Sequence, residues 1–300
     1  MKAALITPNP TLDMIFSHAE EALPGKTFFS GFKMRPGGSG VNVARALGAL
    51  GCSCTLFTIL GGETGRLVGQ LILNEGMDVR ALPDVIETRV TAIQYDRREK
   101  RMAVSPSPSF SARAVENLAR AVRSELRDFD IVFFGGSFFG DVDAYEILRE
   151  LLSQVEGQVF LDTRGRILDV LSGIDPKFVK FDIPGDSKHV GDGLVPAALR
   201  HRVDSLVCVV SPLALHVYSG GKLATYPPYW DPERRVYGTG DAFVAGVIFG
   251  FMNGYHDGAS VRCGILAAKS AGPMEEGLGS IDASRFYAGL PQVLEQASCN

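Results

Sequence analysis

Both standard nucleotide fingerprints are missing from this 300-residue chain. No G-x-x-x-x-G-K-[ST] loop occurs, and the glycine turn at Gly37–Gly40 is followed by Val43 where the last glycine of G-x-G-x-x-G would stand. The apolar first strand is followed by no glycine fingerprint at all, which disfavours a nicotinamide-linked oxidoreductase. Cysteines are few: Cys52, Cys54, Cys208, Cys263 and Cys299 form no C-x-x-C pair and have no histidines close by in sequence. That excludes a disulfide frame or a Cys/His metal site, and predicts buried thiols in a cytoplasmic protein. No excess of either charge exists, with 30 basic against 34 acidic residues and a net of −4, so neither nucleic acid nor a membrane surface is an expected partner. No apolar run approaches the roughly 18 residues of a membrane span. The opening stretch from Met1 to Thr7 is too short to read as a secretory signal. Internal repeats and low-complexity segments are absent.

What is present is a turn-rich, apolar chain, 46% hydrophobic with 34 glycines, long enough for one large α/β domain or two small ones. Short apolar runs at Ala3–Thr7, Thr55–Leu60, Ile131–Phe134, Val159–Leu161, Phe178–Phe181 and Leu206–Val210 read as buried strands. Helical patterns at Arg66–Asn74, Arg113–Leu126 and Val142–Leu152 alternate with them, and Leu215–Tyr218 begins a hairpin. This rhythm predicts a mostly parallel sheet with helices on both faces. Thr88–Tyr95 and Arg101–Val104, around a charged tip, have the texture of a β-hairpin. With Thr27–Met34 they predict a small separate sheet covering the main body. The tip Arg97-Arg98-Glu99-Lys100-Arg101 reads as a solvated turn.

The chemistry is concentrated in turns. Pro8-Asn9-Pro10-Thr11-Leu12-Asp13 follows the first strand, and its two prolines force an extended path that leaves Asn9 and Asp13 at the strand's C-terminal end. In open α/β sheets ligands bind at that end, although a plain polar turn has the same composition. Arg35-Pro36-Gly37-Gly38-Ser39-Gly40-Val41-Asn42 is a second glycine turn, opening a helix and offering Asn42 to something small. The third, Gly238-Thr239-Gly240-Asp241, feeds an apolar helix that Asn253-Gly254 stops. Free N–H groups and the positive end of the helix dipole coincide there, which suits an anion. Asp241 in that turn reads either as a base beside a phosphate site or as an ordinary N-cap.

In their order and separation, Asn9-Pro-Thr-Leu-Asp13, Gly37-Gly-Ser-Gly-Val-Asn-Val-Ala44, Gly135-Gly-Ser137 and Gly238-Thr-Gly-Asp241 resemble the ribokinase-like (PfkB) carbohydrate kinases. The similarity runs from Ala3 to about Gly279 and is greatest to the branch containing 1-phosphofructokinase and tagatose-6-phosphate kinase. The resemblance implies a three-layer α/β/α sandwich, a single domain over residues 1–300, with a β-lid built from about 10–36 and 86–106. It implies Asp241 as general base toward a sugar hydroxyl, with the N–H groups of Gly238, Thr239 and Gly240 as the anion hole. Asp13, Asn9, Asn42 and the turn Gly37, Gly38, Ser39 would hold the sugar, and Arg89 a substrate phosphate. Lys180, Asp182, Ser211, Gly238, Gly240 and Gly277 would bind ATP. Mg²⁺ would arrive with the nucleotide, met through water by Asp182 and Asp186, and the lid often pairs two subunits.

Three departures bear on the substrate. Ser39 stands where the phosphosugar branch carries lysine, replacing a charge-assisted contact by a neutral one. The K-P-N-x-x-E stretch reads Lys180-Phe-Asp182-Ile-Pro-Gly185-Asp186, and Pro212 removes a donor from the turn that meets ATP in relatives. The expected activity is ATP-dependent phosphorylation of a ketohexose phosphate, of the fructose-1-phosphate or tagatose-6-phosphate type. A kinase of an unphosphorylated sugar or nucleoside, and a sugar-binding homologue with weakened catalysis, are the alternatives.

Overall fold

The computed structural model describes residues 1–23, 26–95, 100–162, 174–182, 205–211, 214–229, 238–272 and 277–298. Gly185, Asp186 and Pro212, and most of the charged lid tip, lie outside these residues. A nine-stranded sheet carries the main body. Its strands are β1 (Ala3–Ile6), β4 (Cys54–Gly61), β5 (Asp78–Asp84), β8 (Ile131–Gly135), β9 (Gln158–Asp162), β10 (Phe178–Asp182), β11 (Leu206–Val210), β12 (Leu215–Ser219) and β13 (Lys222–Tyr226). They lie in the order β13-β12-β11-β10-β9-β8-β1-β4-β5, with every pairing from β11 to β5 parallel and β12 and β13 added antiparallel at one edge. The chain leaves β1 toward β4 and β5, then returns to lay β8 on the other side of β1. The strand order therefore reverses beside β1, and a crevice opens above the C-terminal ends of β1 and β8.

Alternation along each strand feeds two cores. Ala3 and Leu5 of β1, with Ile131 and Phe133 of β8, point to one face, and Ala4, Ile6, Val132 and Phe134 to the other. The first face is covered by α1 (Ser39–Ala49), α2 (Gly62–Asn74), α5 (Thr239–Met252), α6 (Asp257–Lys269) and α7 (Ala283–Ser298). The second is covered by α3 (Ala112–Glu125) and α4 (Val142–Ser153). This is the three-layer sandwich, with a mostly parallel sheet, that the sequence predicted.

Helix α5 is apolar on all sides, and every residue from Ala242 to Phe251 is buried. A helix of that kind belongs in the interior. It lies close against α6: a β-carbon at Gly250 would come within 2.6 Å of Ser260 Cα. Asn253 ends it as its C-cap, with Gly254 following in the left-handed region at φ 74°.

A second, four-stranded sheet has the order β3-β2-β6-β7, built from β2 (Thr11–Leu23), β3 (Lys26–Gly37), β6 (Arg89–Tyr95) and β7 (Lys100–Val104). Alternation on β2 sends Asp13 and Ile15 to one side and Met14 and Phe16 to the other. Ile15 and Ile93 meet Leu278 of the main body, which fixes the inner face. Asp13 thus sits within a strand, opposite Arg35 and Thr91, and not in a turn at the end of β1. The two prolines do not stop the chain; they bend it once, and it continues directly as β2.

Candidate active site

Six segments separated in sequence converge at the crevice. From α1, Ser39 Oγ donates to Asp241 Oδ1 at 2.5 Å, and Asn42 Nδ2 donates to Asp241 Oδ2 at 2.8 Å. Asp241 is on the first turn of α5, whose N-cap, Gly238, adopts the left-handed conformation at φ 85°. Glycine is required there for space as well as for φ, because a β-carbon would strike the backbone N of Gly279. A glycine cap supplies no side-chain acceptor, so the helix opens with its positive end toward the cleft. Asp241 does not cap its own helix; its two oxygens are both engaged by α1.

The cleft has a volume of about 280 Å³ and is lined by Ser39, Arg89, Gly136, Ser137, Asp162, Lys180, Asp182, Gly238, Gly240 and Asp241. Lys180, on β10, is 2% exposed, and its Nζ donates to Asp162 Oδ1 and Asp182 Oδ2, both at 3.1 Å. Burial alone would lower the Lys180 ammonium, but the carboxylates of Asp162 and Asp182 hold it well above its ordinary value. Burial pushes the Asp162 carboxyl up to about 6 against the pull of Lys180. Asp241 is raised by burial too, opposed by its hydrogen bonds from Ser39 and Asn42 and by the charge of Lys180. A β-carbon on Gly240 would stand 3.5 Å from Lys180 Nζ, so the glycine leaves the lysine open to the helix start.

Behind the cleft, under the small sheet, Asp13 and Asn9 are each 2% exposed. Burial pushes the Asp13 carboxyl up to about 7, despite the guanidiniums of Arg45 and Arg89 and a hydrogen bond involving Thr11; the nearby Asp241 adds to the rise. Gly37 closes over it, and any β-carbon there would collide with the Asp13 carboxylate. Asn9 Nδ2 donates to Ser137 Oγ at 3.0 Å, tying the segment after β1 to the segment after β8. The Asn9 Oδ1 is buried and has no partner among the described residues. An unmet acceptor in a polar recess is what a hydroxyl-bearing ligand would satisfy.

The sequence-predicted residues separate into two groups. Asp241, Gly238, Gly240, Ser39, Arg89, Lys180 and Asp182 line one cleft, with Thr239 on the same helix turn. Asp13, Asn9, Asn42, Gly37 and Gly38 form the wall behind it. Two nucleotide candidates stand elsewhere among the described residues. Ser211 follows β11 and directs its hydroxyl to the backbone of Ala214, and a β-carbon at Gly277 would stand 3.1 Å from the Arg45 guanidinium. Asp162 belongs to the cleft but not to the sequence-predicted set. A carboxylate ending an apolar strand is its only sequence signal, the same signal that Asp182 gives.

Residues 19–179, more than half of the chain, match the family described as pfkB family carbohydrate kinase. The chain is a member of the pfkB carbohydrate kinase family. This pfkB-family kinase is 29% identical to the "ATP-dependent 6-phosphofructokinase isozyme 2" of Mycobacterium tuberculosis, over 94% of this chain and 88% of that protein. Its fold is similar to that of a possible 1-phosphofructokinase from Thermotoga maritima, with a TM-score of 0.79 at 20% identity, covering 96% of this chain and 98% of that one. Phosphofructokinase-2 from Escherichia coli, solved in complex with fructose-6-phosphate, superposes with a TM-score of 0.77 at 23% identity, covering 97% and 99%. Among the described residues of this pfkB-family kinase, no helix is long and apolar enough to cross a membrane.

Proposed function

We propose that the protein transfers the γ-phosphoryl group of ATP to a hydroxyl of a ketohexose monophosphate, of the fructose-1-phosphate or tagatose-6-phosphate type. Asp241 is the general base, and the N–H groups of Gly238, Thr239 and Gly240 are the anion hole. The observation that carries this reading is the half-buried Asp241 carboxylate, gripped at both oxygens and placed at a glycine-capped helix start beside a buried lysine. Phosphoryl transfer asks a protein mainly for positioning and charge stabilisation, with one residue orienting the nucleophile. The helix start and Lys180 meet the first demand, and Asp241 meets the second.

Asp13, Asn9 and Asn42 hold the sugar's hydroxyls beneath the small sheet, which acts as its lid within a single-domain chain. Arg89 holds the substrate's phosphate: Ser39 is committed to Asp241, and Arg35 pairs with Glu75 at 3.2 Å. Lys180, Asp182 and Gly240 face the nucleotide's phosphates. Among the described residues no cluster of three or more acidic, His or Cys side chains could hold a metal. Magnesium generally keeps several waters and takes one or two carboxylates, so the donor set fits an ion delivered with the nucleotide and met by Asp182. When bound, that ion neutralises phosphate charge. The outward face of β3 exposes Phe28, Phe32 and Met34, an apolar surface suited to a second copy of the lid.

The test is sugar-dependent ADP release over free and phosphorylated ketoses and aldoses. Asp241→Asn is expected to lower kcat by about 10²–10⁴, the usual worth of a positioned base. Absence of sugar-dependent ADP, or an Asp241→Asn variant as fast as wild type, would overturn the assignment and favour a binding role.

A further inference from the structure

Arg45 does not line the cleft, yet it has more hydrogen-bond partners than any catalytic side chain named above. It rises from α1 one turn after Asn42, and its side chain is 10% exposed. Its Nη1 donates to Asn42 Oδ1 at 2.9 Å and to the carbonyl of Leu278 at 2.5 Å. Its Nη2 donates to the carbonyl of Pro36 at 2.6 Å, and its Nε to Glu75 Oε2 at 2.8 Å. The planar fork is thus fixed from three directions before it reaches Asn42.

An amide has two distinct ends, and only its NH₂ end can hydrogen-bond a carboxylate. Arg45 occupies the Oδ1 end of Asn42, which turns Nδ2 to Asp241. Released from that constraint, the amide could present its oxygen to Asp241 and repel it. We infer that Arg45 is a positioning residue for phosphoryl transfer, acting through the orientation of Asn42 to hold the Asp241 carboxylate in place. The inference rests on Asp241 being the base, and it adds a residue that acts at one remove from the reacting atoms.

Arg45→Lys keeps the charge but removes the fork. It is expected to lower kcat about 10- to 100-fold, the scale of a small misplacement at the reacting centre, with the sugar KM changed less than about 3-fold. In an Asn42→Ala background the same change should cost less than about 3-fold, since groups acting through one contact are not additive. Independent losses in the two backgrounds, or a change confined to KM, would overturn the inference. Should Arg45→Lys not fold, Glu75→Gln carries the same cycle, with an expected kcat loss of about 2- to 5-fold that disappears with Asn42→Ala. Nitrogen-resolved NMR of the ligand-free protein gives a reading independent of turnover. The Asn42 side-chain amide should exchange slowly in the wild type, and rapidly in Arg45→Lys (or Glu75→Gln). If that holds while turnover is absent, the kinase assignment falls and only the orientation of Asn42 by Arg45 stands. If turnover is present and the amide is unaffected, the positioning role falls.

Discussion

Three carboxyls around the site, the buried Asp13 and Asp162 and the half-buried Asp241, are held above their ordinary range by desolvation, and each opposes stability once ionised. Asp13 is the clearest case, raised from 3.8 to about 7. A carboxyl raised in the folded state contributes stability while protonated, fully below its unfolded pKa, and loses it as pH rises through its folded pKa. For Asp13 the loss falls between about pH 4 and 7 and reaches a few kcal/mol, since each tenfold change in proton affinity corresponds to about 1.4 kcal/mol. Asp13→Asn removes that loss. The variant is expected to gain unfolding free energy over wild type progressively from pH 4 to 7, as measured by urea midpoints at several pH values, while its sugar KM rises. A stability difference that does not change with pH would contradict the burial argument. Arg89→Ala is the companion test at this scale. If the substrate carries a phosphate, its KM should rise about 10-fold or more, as expected for loss of a charge-assisted contact, and KM for an unphosphorylated ketose should move much less. Equal KM for wild type and variant would assign the phosphate grip elsewhere.

Among the elements, α5 determines where Asp241 stands, and its placement depends on close helix contact. A β-carbon at Gly250 meets the backbone of Ser260 on α6, and one at Gly246 meets the carbonyl of Cys263 at 2.5 Å. Gly250→Val should therefore destabilise the fold by about 1–3 kcal/mol, the usual range for overpacking, and lower kcat through displacement of Asp241. Thermal unfolding and kinetics on the same sample check both halves. The helix itself was legible in the sequence because its two ends carry strong signals, Gly238 at the start and Asn253-Gly254 at the stop. Buried strands were legible for a similar reason, being short apolar runs bounded by turns. Strand β2 was not, since Thr11–Leu23 mixes polar and apolar residues and the prolines before it mimic a turn. Edge strand β5 was hidden by half-exposure and by Pro83, and α6 and α7 gave no reading. Within the site, the turns were visible because glycine and proline announce them. The partnership of Ser39 with Asp241 was not, because nothing in a serine's local sequence reports a carboxylate 202 residues away. The same holds for Asp162 and for the network that Arg45 anchors.

At the scale of the whole molecule, the small sheet presents two unlike faces. Asp13 and Ile15 look inward, while Phe16 and Phe32 pair outward at 5.1 Å between ring centroids. Phe32 is 53% exposed and Phe28 48%, more apolar surface than an isolated sheet needs. Sedimentation analysis is expected to find a dimer that Phe32→Asp converts to monomer, with folding intact by circular dichroism. A wild-type monomer would remove the lid-to-lid assembly.

The site joins Ser39 to Asp241, and the intervening chain includes all of β4 through β13. On a ribosome adding about 5–20 residues per second, Ser39 emerges roughly ten to forty seconds before Asp241. Through that interval the nascent chain holds Asn42 and Ser39 without their common partner. On the proposed mechanism, catalytic competence arrives only with the docking of α5, and a chain that stops short of that helix transfers no phosphoryl group.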